Sequence, residues 1–326
     1  MGHSCGDNIL VHVDKDGHAL CGYEHCPLHR SIVTAQPSAE PLLVFAQHKS
    51  GRRIPVEVTV APIRNHAGEV IGGIEMFRDL TESVQDQLRA KEIQELAVKC
   101  ELPQDDRVSI EMRYQPRDIV GGDFFRIEKL DDDRYAVLVA DAMGHGVSAA
   151  LYTLLLRSLW DEHRAELESP GRFMTTLNHR LKTLVRGEGY FGTAVFVSLN
   201  AANGQLRIVR AGHPAPLLFR IGGTVEAVGK ANPALGLSAD ARYQETMVQL
   251  DRGDTMLLYS DGATEVFDSQ EHELGKEGLL KLVQAQRSAG GVNGFDLDRL
   301  EAQLLQYSNQ LHLSDDLTLI KLRRLG

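Results

Sequence analysis

The sequence predicts an α+β protein built from packed antiparallel sheets with helices on their outer faces. Two observations carry this. "VSIEMRYQ", "DFFRIEKL" and "RYAVLVAD" read as consecutive strands and are followed by two helices in a row, at 147–167 and 171–186. A second strand run, "FGTAVFVSL", "GQLRIVRAG", "PLLFRI", "YQETMVQL" and "DTMLLYSDG", is followed by two helices within 276–308 and a last strand, "LTLIKLRR". Strands grouped between helix pairs argue against a doubly wound parallel sheet, in which the two element types alternate.

A third observation divides the chain. Residues 1–80 are strand-and-turn material: "IPVEVTVAPI" alternates apolar and polar, "NHAGE" supplies a turn, and "VIGGIEMF" resumes the apolar run, so a hairpin is expected. "NILVHVDKDGHAL" reads as a further strand and turn. Residues 81–100 lack Gly and Pro, begin at a Thr that can cap with Glu82 nearby, and place Val84, Leu88, Ile93, Leu96 and Ala97 near helical spacing. A connecting helix is expected, either packed on its own domain or pairing with a second copy as a short coiled coil. The organisation is therefore 1–80, a linker helix in 81–102, and a larger domain in 103–326. At 326 residues the chain exceeds the size at which a single core usually stops growing.

Composition narrows the classes of function. Lys+Arg total 35 against Asp+Glu 45, a formal net charge of −10 that would repel a phosphate backbone, so nucleic acid is not an expected partner. Apolar runs such as "LYTLLL" fall well short of the roughly 20 residues that cross a bilayer, and no secretory signal follows Met1. No membrane association and a cytoplasmic location are expected. Four cysteines are too few for a disulfide scaffold.

The chemistry-bearing residues are carboxylates where apolar runs meet turns. Asp123 follows Gly121 and Gly122, Asp141 ends "YAVLVAD", Asp261 ends "MLLYSD", and Asp315 and Asp316 precede "LTLI". Oxygens from distant parts of the chain, beside small residues that let the backbone come close, suit hard divalent cations. Without a matching Cys or His set, Mg²⁺ or Mn²⁺ is expected over Zn²⁺.

In order, "DIVGGDFF", "VADAMGHGVSAAL", "FGTAVFVSL", "RAGHPAPLLF", "LYSDGATE" and "SDDLTLIKL" resemble the bacterial SpoIIE/RsbU branch of the PPM metal-dependent serine/threonine phosphatases, over about residues 90–324. The resemblance implies two antiparallel sheets between helical layers. It implies that Asp141 bridges two metal ions, that the Ala142 carbonyl and Asp123 serve one of them, Asp123 partly through water, and that Asp261 and Asp315 serve the other. Two such ions about 3.5–4 Å apart activate a water for in-line attack on phosphorus. Asp141, Asp123 and His145 are the candidate catalytic residues. His145 would act as general acid, its alternative being a structural hydrogen bonder in the glycine-rich loop. His213 is read as organising a turn before Pro214, and Arg113 and Arg117, close to Asp123 in sequence, as solvated arginines.

"GGDFF" also invites comparison with diguanylate cyclases, but Phe124 replaces their second acid, and Asp141, Asp261 and Asp315 would have no role. A catalytically silent binding module of the same fold is the alternative function. "HKSGRRIPVEVTVAPIRNHAGEVIGGIEMFRDLT" resembles the closing strands of a PAS sensor domain, here partial. Cys5, Cys21 and Cys26 cluster with His12 and neighbouring histidines, a tentative second metal site for zinc, iron or haem, against packing thiols as the plainer reading. The phosphatase resemblance implies a phosphorylated STAS-type anti-sigma-factor antagonist as partner. The linker helix is expected to transmit the sensor's state by repositioning Asp123 and Asp141.

Overall fold

The computed structural model describes residues 9–22, 25–38, 41–144, 146–185, 191–290, 294–310 and 312–325. The chain separates into two compact units, Met1–Arg89 and Ala90–Gly326.

In the first unit β1 (Leu42–Gln47), β2 (Arg53–Arg64) and β3 (Val70–Asp79) form an antiparallel sheet in the order β1-β2-β3. Val56, Val58 and Val60 of β2 alternate inward and close a small core with Val44 and Ala46. The expected β2–β3 hairpin is present, and its turn is set by Asn65, whose side-chain oxygen accepts the N–H groups of Ala67 and Glu69.

Two features depart from the sequence reading. "NILVHVDKDGHAL" forms no strand among its described residues, only single bridges from Val13 to Ala19 and Phe45. The Asp14 carboxylate accepts the N–H groups of Asp16 and His18, so the run folds back on itself instead of extending. A helix absent from the sequence reading, α1 (Pro27–Thr34), opens on a proline, whose missing N–H costs nothing in a first turn.

α2 (Thr81–Val98) matches the expected linker helix, and the division between the units falls within it. Its burial differs from the apolar count. Leu88, Ile93 and Leu96 are exposed, whereas Val84, Val98 and the polar Gln94 are buried.

The second unit is a four-layer sandwich, the α+β architecture the sequence predicts. One sheet has the order β10-β9-β13-β14-β4, from β4 (Val108–Gln115), β9 (Leu217–Phe219), β10 (Val225–Ala227), β13 (Thr255–Tyr259) and β14 (Leu317–Arg324). The other has the order β11-β8-β7-β6-β5, from β5 (Asp123–Lys129), β6 (Arg134–Ala142), β7 (Gly192–Asn200), β8 (Gln205–Ala211) and β11 (Ala231–Asn232), with β12 (Thr246–Gln249) on β8. All described strand pairings are antiparallel except the short β11–β8 contact, beside which a single parallel bridge joins Ala194 to Gly212.

Strand alternation assigns each face. Met256 and Leu258 of β13, with Ile320 and Leu322 of β14, join the core between the sheets. Leu257, Tyr259, Leu317 and Leu319 point the other way, onto a second core shared with α5 (Gly275–Gly290) and α6 (Leu297–Ser308). On the opposite outer face, α3 (Val147–Glu162) and α4 (Pro170–Leu184) send Trp160 and Phe173 against Phe196 of β7, with ring centroids 5.3–5.9 Å apart. β6 is covered on both sides, which is why "YAVLVA" reads as an unbroken apolar run. β10 and β11, three and two residues long, carry too little pattern to be read in advance.

Candidate active site

Antiparallel pairing brings the carboxylates to one end of the sandwich. Asp123 opens β5 and Asp141 lies one residue from the end of β6, and the ladder sets them directly opposite each other. Asp141 is in turn opposite Thr193 of β7, giving a row Asp123, Asp141, Thr193 on one face. From the facing sheet, Asp261 follows β13 in a short 3₁₀ turn, and Asp315 and Asp316 precede β14.

Asp123 is 1% exposed. Its Oδ2 accepts the Thr318 hydroxyl at 2.6 Å, a bond that ties the two sheets together, and its Oδ1 has no hydrogen-bond partner. Burial, then the charges of Asp141 and Asp316, push its carboxyl well above the ordinary range. Asp141 is pushed up to about 8 by burial and by Asp261, Asp315, Asp316 and Glu265. Asp261 is pushed up to about 6 by burial, Asp315 and Glu265. Asp261, Glu265 and Asp315 each bring one carboxylate oxygen within 4.8 Å of the others. Glu265 was not singled out in the sequence, although "SDGATE" contains it. The signal was the i,i+4 spacing, since the Glu265 N–H donates to the Asp261 carbonyl at 2.7 Å and turns both side chains the same way.

Asp316 has a different task. Its Oδ1 accepts the Arg117 N–H at 2.6 Å, and its Oδ2 accepts the N–H groups of Gly122 and Asp123, so it clamps the turn that presents Asp123. The turn leaves little room for a side chain at Gly122. A Cβ on Gly122 would stand 3.2 Å from the Ala142 carbonyl oxygen and 3.3 Å from that of Gly144. Gly144 and Gly146 adopt positive φ, which accounts for the spacing in "ADAMGHG".

The carboxylates open into a hollow of 310 Å³ lined by Asp141, Ala142, Asp261, Asp315, Thr193 and Arg117, among others. A larger hollow, 570 Å³, lies against Ile221, Arg287 and Arg323 and has no carboxylate in its lining. Arg117 therefore borders the site, whereas Arg113 is held by Glu301 at 2.6 Å and Asp298 at 3.3 Å on α6. His213 is buried, and its Nδ1 lies 2.7 Å from the Thr193 hydroxyl, so it braces a residue of the hollow as well as its own turn. Burial pushes its imidazole down to about 3.

An all-oxygen donor set, a buried carboxylate oxygen without a partner, and carboxyls raised by one another's charge fit hard divalent cations. His145 and Cys5 lie outside the described residues. Cys21 accepts the backbone N–H of His12 at 3.0 Å, and Cys26 is buried at the start of α1. Neither cysteine nor His12 belongs to a group that could hold a metal among the described residues.

A sandwich of two antiparallel sheets flanked by helix pairs, with carboxylates gathered at one end, defines the PPM phosphatase fold. Residues 131–325 match the family described as Stage II sporulation protein E (SpoIIE), and the chain belongs to that family, within the SpoIIE/RsbU branch of the PPM-type serine/threonine phosphatases. Residues 21–85 match the PAS fold. The phosphoserine phosphatase RsbU of Bacillus subtilis (strain 168) is 26% identical over 236 residues, 72% of this chain and 69% of that protein. The phosphoserine phosphatase RsbP of the same organism is 29% identical over 160 residues, 48% of this chain and 40% of RsbP, so the chain spans well under half of that relative. The SiaA-PP2C domain of Pseudomonas aeruginosa superposes with a TM-score of 0.62 at 24% identity, covering 75% of this chain and 98% of that one. The RsbU and RsbW domains of Rv1364c from Mycobacterium tuberculosis give 0.56 at 23%, covering 70% and 62%. At these identities the structural likeness establishes the fold. No helix among the described residues is long and apolar enough to cross a membrane.

Proposed function

We propose that this protein is a metal-dependent protein serine/threonine phosphatase, with residues 103–326 as the catalytic domain, 1–80 as a partial PAS-like sensor and 81–102 as the helix between them. One observation carries the reading above the others: Asp123 Oδ1 is buried and without a hydrogen-bond partner, directly opposite Asp141 in the ladder, and Asp141 lines the hollow with Asp261 and Asp315. An orphaned carboxylate oxygen among like charges is costly unless a cation is present.

Asp141 and the Ala142 carbonyl, with Asp123, would hold one Mn²⁺ or Mg²⁺, and Asp141, Asp261 and Asp315 a second. Glu265 stands beside the second group. Two such ions supply, when bound, an activated water and neutralisation of phosphoryl charge. The chain's own contribution is positioning. Asp316 and Thr318 fix the Asp123 turn and carboxylate, the glycines leave room for a phosphate, and Arg117 at the rim offers a cation to a phosphoryl oxygen. His145 is retained as general acid for the departing hydroxyl.

The phosphoserine phosphatase activity in the names of RsbP and RsbU supports phosphoserine as the substrate group. The partner is a phosphorylated STAS-type anti-sigma-factor antagonist, placing the chain in sigma-factor signalling. Exposed Leu88, Ile93 and Leu96 on α2 are apolar positions open to a second copy, which supports a homodimer through the linker.

The experiment is phosphate release from a phosphoserine-bearing STAS protein in the presence of Mn²⁺ or Mg²⁺, wild type against Asp141→Asn. Metal-dependent release that Asp141→Asn abolishes is expected. No release from either protein, with tight metal binding also absent, would replace this reading with a catalytically silent binding module.

A further inference from the structure

A buried glutamine on the linker helix meets the turn that presents Asp123. Gln94 is 4% exposed, in the same compact unit as the site. Its Nε2 donates to the Gly121 carbonyl at 2.7 Å and to the Thr153 hydroxyl at 3.0 Å, and its Oε1 accepts the Gly121 N–H at 3.2 Å. The Thr153 hydroxyl donates onward to the Ala150 carbonyl at 2.7 Å, so the amide has two acceptors and one donor, all in α3 or the Gly121 turn. A methionine or leucine would fill comparable volume without desolvating an amide. What an apolar side chain cannot do is hold the N–H and the carbonyl of one residue, and so fix the two peptide units on either side of Gly121.

Gly121 depends on that grip. A Cβ there would collide with the Tyr114 hydroxyl and stand 2.9 Å from Asp316 Oδ2, so the residue has no side chain of its own to anchor it. The next residue continues the chain of bonds. The Gly122 N–H donates to Asp316, and its carbonyl accepts the Ala142 N–H at 3.1 Å, beside Asp141. Asp123 follows directly.

We propose that Gln94 is a positioning residue for the metal site, setting the Gly121–Gly122 backbone from which Asp123 and the Ala142 carbonyl are aimed. The inference rests on the metal-site reading above. Removing the amide leaves the Gly121 N–H and carbonyl unpaired in a buried place, and the turn relaxes to find other partners. Metal affinity then falls while the fold persists, as it does when an outer-shell hydrogen bond to a ligand is lost.

The test is calorimetric titration of the full chain with Mn²⁺, comparing wild type, Gln94→Met and Val98→Ala, with melting temperatures in EDTA. Val98 is also buried on α2, in the core of the same unit, and serves as a packing control. Gln94→Met is expected to weaken Mn²⁺ binding about 10- to 100-fold, with turnover recovering at saturating Mn²⁺. Val98→Ala is expected to lower the melting temperature and leave Mn²⁺ affinity within about twofold, the site geometry being unchanged. Should Gln94→Met fail to fold, Gln94→Asn gives the same reading, since its amide is one methylene short of Gly121. Unchanged Mn²⁺ affinity in the Gln94 variant overturns the proposal, as does an equal loss in Val98→Ala. A wild type that binds no Mn²⁺ overturns the metal-site reading itself.

Discussion

Asp123 and Asp141 stand directly opposite each other in the β5–β6 ladder, one almost wholly buried and both with carboxyls raised above their usual range. Like charges in paired positions of a sheet are destabilising, and on the proposed metal-site reading a cation would offset them. Removing one charge should therefore relieve the metal-free protein. Asp141→Asn is expected to melt at or above the wild type in EDTA. Only the wild type should be stabilised by Mn²⁺, by about 2.7 kcal/mol at a hundredfold excess over the dissociation constant, or roughly 5–10 °C. Differential scanning calorimetry decides it. An Asp141→Asn protein that gains as much from Mn²⁺ as the wild type would sink the assignment.

Gly262 is a point where no side chain fits. A Cβ there would collide with the Asp316 backbone carbonyl and stand 3.4 Å from the carbonyl carbon of Asp315. Backbone cannot yield as a flexible side chain can, so Gly262→Ala should displace the Asp315–Asp316 turn at a cost of about 1–3 kcal/mol. It should also weaken Mn²⁺ binding. Gly222→Ala, with nothing within 4 Å of its Cβ, should stay within about 0.5 kcal/mol of wild type. Urea titrations with and without Mn²⁺ separate the two effects, and normal metal affinity in Gly262→Ala would show that the turn tolerates the shift.

The site was largely legible because its carboxylates sit at strand ends, where an apolar run stopping at an acid is visible in one dimension. Glu265 escaped because its i,i+4 spacing from Asp261 stands alone: residues 261–263 form only a one-turn 3₁₀ segment, with no longer helical run to give that spacing weight. Gln94 escaped for a related reason: a polar residue in a surface-like helix gives no sign that it faces a peptide 27 residues away. In α2 the apolar spacing does not mark the buried face, since Leu88, Ile93 and Leu96 are exposed where Gln94 is not. In the first unit, Asp14 turned an apparent strand into a tight loop through side-chain bonds to the backbone, a competition that hydrophobic patterning does not register.

Trp160 has no exposed surface and packs on Phe173 and Phe196 beneath the six-stranded sheet, while its indole N–H donates to Glu128 at 2.9 Å. Trp160→Ala should cost about 3–5 kcal/mol. Trp160→Phe keeps most of the packing and should cost less than half of that. Chemical denaturation measures both, and equal losses would mean that the hydrogen bond, and not the ring, holds α3 to the sheet.

His213 makes the stability of the fold fall as the solution is acidified. Burial holds its imidazole neutral down to about 3 in the folded state, with Arg210 nearby adding to the shift, against about 6.5 in the unfolded chain. Between those values the unfolded state binds a proton that the folded state does not, so stability is full above about 6.5 and is lost as pH falls toward 3. The limiting slope for one proton is about 1.4 kcal/mol per pH unit. Thr193, whose hydroxyl lies against Nδ1, does not titrate in this range. His213→Asn should thus destabilise at pH 7.5, where the Thr193 contact is lost without compensation, and the deficit should shrink as pH falls to 5. Free energies of unfolding from urea titrations in EDTA at pH 7.5, 6 and 5 provide the comparison, because the site carboxylates are common to both proteins. Parallel pH profiles would show that His213 is accessible to protons in the folded state and would remove it as a brace for Thr193.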